Sequence, residues 1–451
     1  MRIWIGAAFM ATVLENGVSG GSVDTSIRPE SRPGTDSGAR PVQATVFQVA
    51  NVAVLQSPRP LMRPTKLGRK AEPVPVAAVN QRFQNWIGAF KARAMAQGIR
   101  APVLDQAFRG VRYDADVIRR DRNQSEFTKT IWDYLDSATS DARIRNGKAA
   151  LQKHLTKLDA IERKYGVDKD VVVAIWGLES AYGTFRGSTS VIEALATLAF
   201  DTRRGAFFES QLIAALNILQ SGDTTPVNMT GSWAGAMGHT QFIPTSYLEH
   251  AVDFTGDGRR DIWSDDPSDA LASTASYLAS FGWVKGQPWG VEVTLPKGFD
   301  YTLADRKITE SPGDWGDLGI TGLNGQAVPD HGAASILLPA GGQGAAFMIF
   351  KNFEVIEHYN TADAYVIGVG HLSDRISGGG PIQASWPRSD RALTFKERKE
   401  MQRLLTSAGF DTVKIDGKIG PLTIAAVRAY QVASDLLPDG YPSLSLLKRL
   451  Q

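Results

Sequence analysis

Apolar positions along this chain fall mostly on a helical period. From Phe83 to about Phe281 they recur three and four residues apart. The spacing predicts a hairpin-like Gln124–Leu135 segment, a long Asn146–Tyr165 helix, a helix through Val171–Glu179, and helices at Val191–Leu198, Phe207–Leu219 and Pro267–Phe281. Near Gly290 the pattern turns to alternation in WGVEVTLP, and again in ASILLP and AAFMIFKNF, which predicts a small β insertion over about 288–352. The chain then returns through Tyr359 and Asn360 into a helix carrying Tyr365 and His371, so a cleft here would be walled by segments far apart in sequence. After a Gly378–Pro387 linker, residues 392–451 have the length and apolar pattern of a small three-helix domain. In it Gly417 and Gly420 make a turn, Pro421 starts a helix, and Leu422, Ala426 and Ala429 form the predicted buried stripe. The fold class expected is mainly α.

The N-terminal part has no such period. Arg2 and the apolar Ile3–Leu14, with a small-residue exit near Val18–Gly20, have the form of a signal peptide over residues 1–20, well short of the ~20 apolar residues that span a bilayer. Residues 21–78 are rich in Pro, Ser, Gly and Arg and are expected to form a disordered tether; the Val/Ala-rich VQATVFQVANVAVL within them receives no assignment.

Candidate chemistry enters at AIWGLESAYGTFRG, residues 174–187, where the run Val171–Leu178 ends on one carboxylate, Glu179. Gly166 and Asp168 supply a turn and an N-cap candidate ahead of a helix on which Val172, Ile175, Trp176 and Glu179 share a face. Loss of water disfavours the ionised form, so this Glu can keep a proton near neutral pH and give it to a leaving group. Taken alone, a Glu ending an apolar stripe ordinarily turns its tip back to solvent. A second segment, GSWAGAMGHTQFIPTSY at 231–247, surrounds Trp233 with small residues and adds Gln241 and Tyr247, a composition suited to sugar rings, hydroxyls and acetamido groups, or else to a tight contact between helices. It has neither the Gly-Lys-Ser/Thr ending of a P-loop nor a dinucleotide fingerprint.

With DRNQSEF (121–127), WGLESAYG (176–183), GSWAGAMG with its following Gln, Phe, Pro and Ser-Tyr, DFTGDGRRDIW (253–263) and HYNTADAYVIGVGHLSDR (358–375), the chain resembles the B-type lytic murein transglycosylases, glycoside hydrolase family 103, from about Phe83 to Arg375. The resemblance implies a lysozyme-like helical catalytic domain over 79–386. It implies Glu179 as the sole catalytic carboxylate and substrate contacts at Ser232, Gln241, Tyr359 and Asn360. The implied reaction cuts the β-1,4 bond between N-acetylmuramic acid and N-acetylglucosamine and closes a 1,6-anhydro ring, with Glu179 acting as acid and then base. Asn360 also reads as a helix N-cap. Residues 392–451 resemble the peptidoglycan-binding type 1 module through MQRLLTSAGF, DGKIGPLTIAAVRAYQ and LPDGYPSLSLLKRL; Asp416 and Asp439, each before a Gly, read there as turn residues.

Glu193, Asp201 and Glu209 are the alternative second acids that would make the protein a two-carboxylate hydrolase, and a catalytically silent wall-binding protein is the third reading. In DFTGDGRRDIW, Asp253, Thr255, Asp257 and Asp261 occupy positions one, three, five and nine of an EF-hand-like loop, as a calcium-binding relative would have, but the twelfth residue is Ser264. The loop therefore reads as a hydrogen-bonded turn, and no metal and no cofactor are expected.

Composition limits the choices further. At 451 residues the chain can hold two or three domains, and a net charge of +2 without a long basic run argues against nucleic acid as partner. Six histidines without an H-E-x-x-H pattern, and no cysteine, argue against a zinc hydrolase. The missing cysteine also leaves no lipid-attachment thiol, so the expectation is a periplasmic protein of a Gram-negative bacterium that is not a lipoprotein and has no integral span. Its expected partner is the glycan strand of peptidoglycan; no protein partner is assigned.

Overall fold

The computed structural model describes residues 76–123 and 129–451. The signal-peptide segment, residues 21–75 of the tether and the start of the Gln124–Leu135 segment lie outside the described residues; the last three tether residues open the helix Val76–Ala96. Glu179 sits in the last turn of the helix Lys169–Ser180, whose residues Val171 to Gly177 are all buried. The helix is thus enclosed on every side rather than along one face. Helices Asp141–Lys153, Leu155–Tyr165, Ser268–Ser280 and Asp363–Ser377 pack around it. Its N-cap is Asp168, as the sequence predicts, yet the Asp168 carboxylate accepts from Trp283 Nε1 at 2.9 Å and Gly286 N–H at 3.0 Å instead of capping the helix.

The long Asn146–Tyr165 helix is a correction: it is two helices broken at His154, whose ring lies edge-on to Trp176 at 5.4 Å. Neither Pro nor Gly marks the break. The Val191–Leu198 and Phe207–Leu219 helices extend a little past their predicted ends, to Val191–Phe200 and Gly205–Ser221, while Pro267–Phe281 is Ser268–Ser280 with its predicted ends as caps. A two-residue antiparallel pairing, Thr189–Ser190 with Thr230–Gly231, fastens the small-residue segment beside the Glu179 helix. Glycine is required there because a Cβ on Gly187 would collide with the Gly231 backbone.

The β insertion is a four-stranded antiparallel sheet in the order Thr321–Gly322, Gly290–Thr294, Ala346–Ile349, Ser335–Leu337. Its own core gathers Trp315, Ile336, Met348 and Phe350. Among the described residues no helix is long and apolar enough to cross a membrane.

The C-terminal part has three helices, Phe395–Ser407, Pro421–Ala433 and Leu444–Leu450, around Met401, Leu405, Val427 and Leu447. Of the stripe expected on Leu422, Ala426 and Ala429 only Ala426 is buried: Leu422 is 56 % exposed and Ala429 is exposed, while Thr423, Val427 and Gln431 face inward with Ala426. The cause is a polar clamp. Buried Gln402 donates to Thr423 Oγ1 at 3.1 Å and accepts the Gly417 N–H at 2.8 Å, and this draws the face holding Thr423 inward. Gln431 repeats the clamp, donating to Asp439 at 2.7 Å and accepting the Gly440 N–H at 2.8 Å. The second oxygen of Asp439 accepts the Gly342 N–H of the β insertion at 3.0 Å, and Arg428 donates to the Ala304 carbonyl at 2.9 Å. These bonds seat the C-terminal helices on the sheet.

Candidate active site

The Glu179 helix stops abruptly. Ala181, Tyr182 and Gly183 are all left-handed, with φ of 48, 59 and 83°, a conformation that costs roughly 1–3 kcal/mol at a non-glycine residue. Ser180 holds the turn: its hydroxyl donates to the His239 carbonyl at 2.5 Å and accepts the Gly183 N–H at 2.9 Å. Gly177 makes room for the Tyr182 ring, which a Cβ there would strike. Trp176 Nε1 donates to His239 Nδ1 at 3.1 Å, while His239 Nε2 lies 2.7 Å from the Ser264 carbonyl and so carries the proton. This network binds the small-residue segment to the Lys169–Ser180 helix, and Glu179 projects from its rigid end.

Glu179 remains partly exposed to the cleft, but enough protein surrounds its carboxyl that desolvation raises its pKa to about 7, with the Tyr365 hydrogen bond opposing the rise. Tyr365 donates to Glu179 Oε1 at 2.6 Å. That bond leaves the acid proton on Oε2. No charged group adds to these two influences, so among the described residues Glu179 has neither a cation to ionise it nor a second carboxylate to share a proton. Tyr134 and Tyr359 also feel the Glu179 charge, and burial foremost pushes both phenols upward. The acid therefore faces neutral hydroxyls.

Of the four expected contacts, Tyr359 is brought closest: its ring stacks on Tyr365 with centroids 6.5 Å apart, and its hydroxyl donates to the Thr240 carbonyl at 2.6 Å. Ser232 Oγ accepts the Ala234 and Ala236 N–H groups at 3.3 and 3.1 Å, which fixes its own loop but leaves its hydroxyl proton without an acceptor among the described residues. Gln241, left-handed at φ 55°, donates to the Arg186 and Gly238 carbonyls at 3.1 and 2.8 Å and keeps Oε1 free among the described residues. Asn360 Oδ1 accepts the Ala362 N–H at 3.1 Å, a turn bond ahead of the Asp363–Ser377 helix. Sequence reasoning missed the direct role of Tyr365; the aromatic spacing in HYNTADAY was the available signal.

The alternative acids are occupied elsewhere. Glu193 accepts the Arg112 N–H at 3.0 Å, Asp201 pairs with Arg122 at 2.8 Å, and Glu209 pairs with Arg93 at 2.9 Å.

In the 253–264 loop the carboxylates that converge are Asp253, Asp257 and Asp269, so Asp269 from the next helix stands where Ser264 offers nothing. Asp253 accepts N–H groups of Gly256, Asp257 and Gly258 at 2.6, 3.2 and 2.8 Å. Asp269 accepts those of Phe254, Thr255 and Asp261 at 3.0, 3.1 and 2.9 Å. Calcium needs roughly six to eight oxygens. Three carboxylates converge here, fewer ligands than a full calcium shell, and each also accepts backbone N–H groups that hold the turn.

Comparison with known proteins gives concordant matches. Residues 82–374 match the family described as transglycosylase SLT domain, and residues 396–450 match a putative peptidoglycan binding domain. Membrane-bound lytic murein transglycosylase B of Escherichia coli (strain K12) is 34 % identical over 241 residues, which cover 52 % of this chain and 64 % of that protein, less than two thirds of its length. The crystal structure of SltB3 from Pseudomonas aeruginosa in complex with NAG-anhNAM-pentapeptide superposes with a TM-score of 0.80 at 49 % identity, covering 82 % of this chain and 99 % of that one. The Escherichia coli lytic transglycosylase Slt35 in complex with bulgecin A gives a TM-score of 0.55 at 30 % identity, covering 66 % and 93 %.

Proposed function

This chain belongs to the transglycosylase SLT-domain family, and from that premise we propose that it is a lytic murein transglycosylase with Glu179 as its single acid and base. The observation that carries the reading is a carboxyl group whose pKa is raised to about 7 by burial, with a neutral phenol as its one polar partner. Residues 79–386 would form the catalytic part and 392–451 the wall-binding part, acting on peptidoglycan glycan strands in the periplasm.

The reaction follows from this geometry. Glu179 Oε2–H protonates the oxygen between N-acetylmuramic acid and N-acetylglucosamine, and the bond from C1 of the muramic ring to that oxygen breaks. The carboxylate left behind is stabilised by the Tyr365 hydroxyl. It then removes the proton from the ring's own C6 hydroxyl as O6 closes onto C1. Glu179 ends protonated, one C–O bond has replaced another, and no water is consumed. An internal nucleophile has a large proximity advantage, so the protein has chiefly to hold the ring and exclude water. The Ser232 hydroxyl proton and Gln241 Oε1 are one free donor and one free acceptor for the sugar's acetamido and hydroxyl groups. Tyr359, stacked on Tyr365 and bonded to the Thr240 carbonyl, adjoins both the acid and the small-residue segment, and Asn360 follows it in the chain.

The test is mass spectrometry of fragments released from purified sacculi by the wild-type protein and by Glu179→Gln. Muropeptides one water lighter than the reducing forms, lost in the variant, are the expected result. Reducing ends would point to a hydrolase with a second acid, and binding without release to a silent wall-binding protein.

A further inference from the structure

The proposed reaction runs through Glu179 and Tyr365, yet the turn behind Glu179 is tied down by a histidine that the reaction never touches. His239 is 3 % exposed and joins three segments. From the Lys169–Ser180 helix, the Trp176 indole donates to its Nδ1 at 3.1 Å and the Ser180 hydroxyl to its carbonyl at 2.5 Å. From the loop beyond that helix, Gly183 packs flush on the ring, where a Cβ would come within 2.5 Å of Nδ1. On the far side Nε2 faces the Ser264 carbonyl at 2.7 Å, and the His239 backbone N–H donates to the Ile262 carbonyl at 3.1 Å. Arg186 Nη1 donates to the same Ser264 carbonyl at 2.8 Å and lies 3.3 Å from Nε2, so a guanidinium sits directly against the imidazole. Only one protonation state of the ring fits these partners. Trp176 brings a hydrogen and needs a lone pair on Nδ1, whereas Ser264 brings a lone pair and needs a hydrogen on Nε2. The other neutral tautomer mismatches both contacts. The imidazolium satisfies Ser264 but sets Nδ1–H against the indole N–H, with neither able to accept.

We propose that His239 is a positioning residue for Glu179, and that it holds the end of the Lys169–Ser180 helix in place only as the neutral tautomer protonated on Nε2. The assignment rests on the reading of Glu179 as the acid. Trp176 lies three residues before Glu179 and Ser180 directly after it, so the two bonds to His239 bracket the acid. Beyond them the left-handed Ala181 and Tyr182 carry backbone strain, and the restraint on the helix end has to come from outside the helix. Charge reaches the ring from Arg186 on the loop after the helix and from Asp265 and Asp261 on the segment opposite, while Trp176 is itself flanked edge-on by His154 and Tyr182 at 5.4 and 5.9 Å. Burial foremost, joined by the Arg186 guanidinium, holds the proton affinity of His239 below the ordinary histidine range, against the Ser264 carbonyl and the two aspartates. The ring therefore rests in the fitting form at neutral pH, and acid converts it to the form that opposes Trp176. A carboxylic acid that starts protonated loses nothing as pH falls, so Glu179 by itself gives a rate that is flat on the acid side. Protonation of His239 adds an acid limb.

The test joins nitrogen NMR of the histidine rings to pH–rate profiles of the full chain, its His239→Gln variant and its His239→Phe variant. The ring signals missing from His239→Gln identify His239, which should carry its proton on Nε2 at neutral pH and gain the second one below pH 6.5. Rates are taken on soluble, uncross-linked glycan strands, counting every new end whether anhydro or reducing, over the pH range in which each protein stays folded. Phenylalanine fills the space without either bond; kcat should fall by about 10²-fold with KM little changed, as expected when a reacting group is misplaced by about 1 Å. Glutamine can accept from Trp176 and donate to Ser264 but does not titrate, so His239→Gln should restore most of the rate and lack the acid limb. A proton on Nδ1, a wild-type profile without an acid limb, or a limb that persists in His239→Gln would overturn the proposal. Should His239→Phe fold poorly, the NMR and the glutamine variant still decide. Reducing ends in place of anhydro ends would refute the proposed function and leave the role of His239 standing, whereas anhydro ends with an unaltered limb in His239→Gln would do the reverse.

Discussion

Glu179 and Asp253 lie in the same helical lobe, and their surroundings drive them in opposite directions. Asp253 is partly desolvated, but N–H bonds from Gly258, Gly256 and Asp257 hold its carboxyl below the usual range. Glu179 has one phenolic donor and no backbone donors, so the surrounding protein prevails and its pKa rises to about 7. The backbone of the loop supplies fixed donors that favour the anion; the helix end supplies none, because its own N–H groups are already bonded within the helix. A carboxylate facing backbone amides is a structural anchor, whereas one facing a phenol and a cleft can carry a proton.

The largest break in this contrast is Glu179→Gln, which keeps the shape and removes the proton. General acid–base catalysis by a positioned group contributes about 10²–10⁴-fold, and one residue doing both steps should stand at the upper end. Release of anhydro muropeptides should fall by about 10³-fold or more. A residual activity within tenfold of wild type would mean that another carboxyl takes over.

Tyr365→Phe sharpens the contrast by removing the donor that favours the Glu179 anion. The acid must start protonated, so activity should fall as pH rises through about 7. Without Tyr365 the Glu179 pKa rises further, and this basic limb should move to higher pH while the plateau rate drops about tenfold, since the anion formed after protonation loses its stabilising hydrogen bond. A pH–rate profile of both proteins reads the two effects separately. An unmoved limb would assign the titration to another group.

On the loop side, Asp269→Asn exchanges an acceptor of three backbone N–H groups for an amide that must point its own N–H₂ at one of them. Asp269 is 2 % exposed, and a lost charged hydrogen bond with an unsatisfied donor left behind costs about 2–3 kcal/mol. The melting temperature should drop by several degrees while the pH–rate profile keeps its shape. A shifted profile would mean that the loop tunes Glu179.

How much of this was readable from the sequence differs between the two regions for a physical reason. Glu179 announced itself because its desolvation is local: the apolar run that buries it precedes it directly. Tyr365 did not, being 186 residues away, and only the fold of Asp363–Ser377 against the Glu179 helix brings them together. Asp269 was missed because counting along an EF-hand-like loop ends at Ser264, while the structure closes the loop from the following helix. The small-residue segment was legible as a close approach, but the His239 network that fastens it to Trp176 and Ser180 is entirely tertiary. The Leu422 stripe failed likewise, since Gln402 decides from another helix which face of Pro421–Ala433 turns inward.

The smallest effect separates proton affinity from chemistry. A carboxyl whose pKa is raised on folding, from 4.5 to about 7, binds more protons in the folded than in the unfolded state between those values. Its contribution to stability is therefore complete below about pH 4.5 and is lost as pH rises through about 7. The full shift corresponds to about 3 kcal/mol, and the partial exposure of Glu179 to the cleft reduces this to about 1–2 kcal/mol through solvent screening. Glutamine cannot ionise, so Glu179→Gln escapes the loss. The melting temperature of the variant relative to wild type should climb between pH 5 and pH 8 by a few degrees, with the steepest change midway between the two pKa values, roughly pH 6, and a plateau above about pH 8. A difference that stays flat across that range would mean that Glu179 is ionised in the resting protein, and the proton for the glycosidic oxygen would have to come from elsewhere.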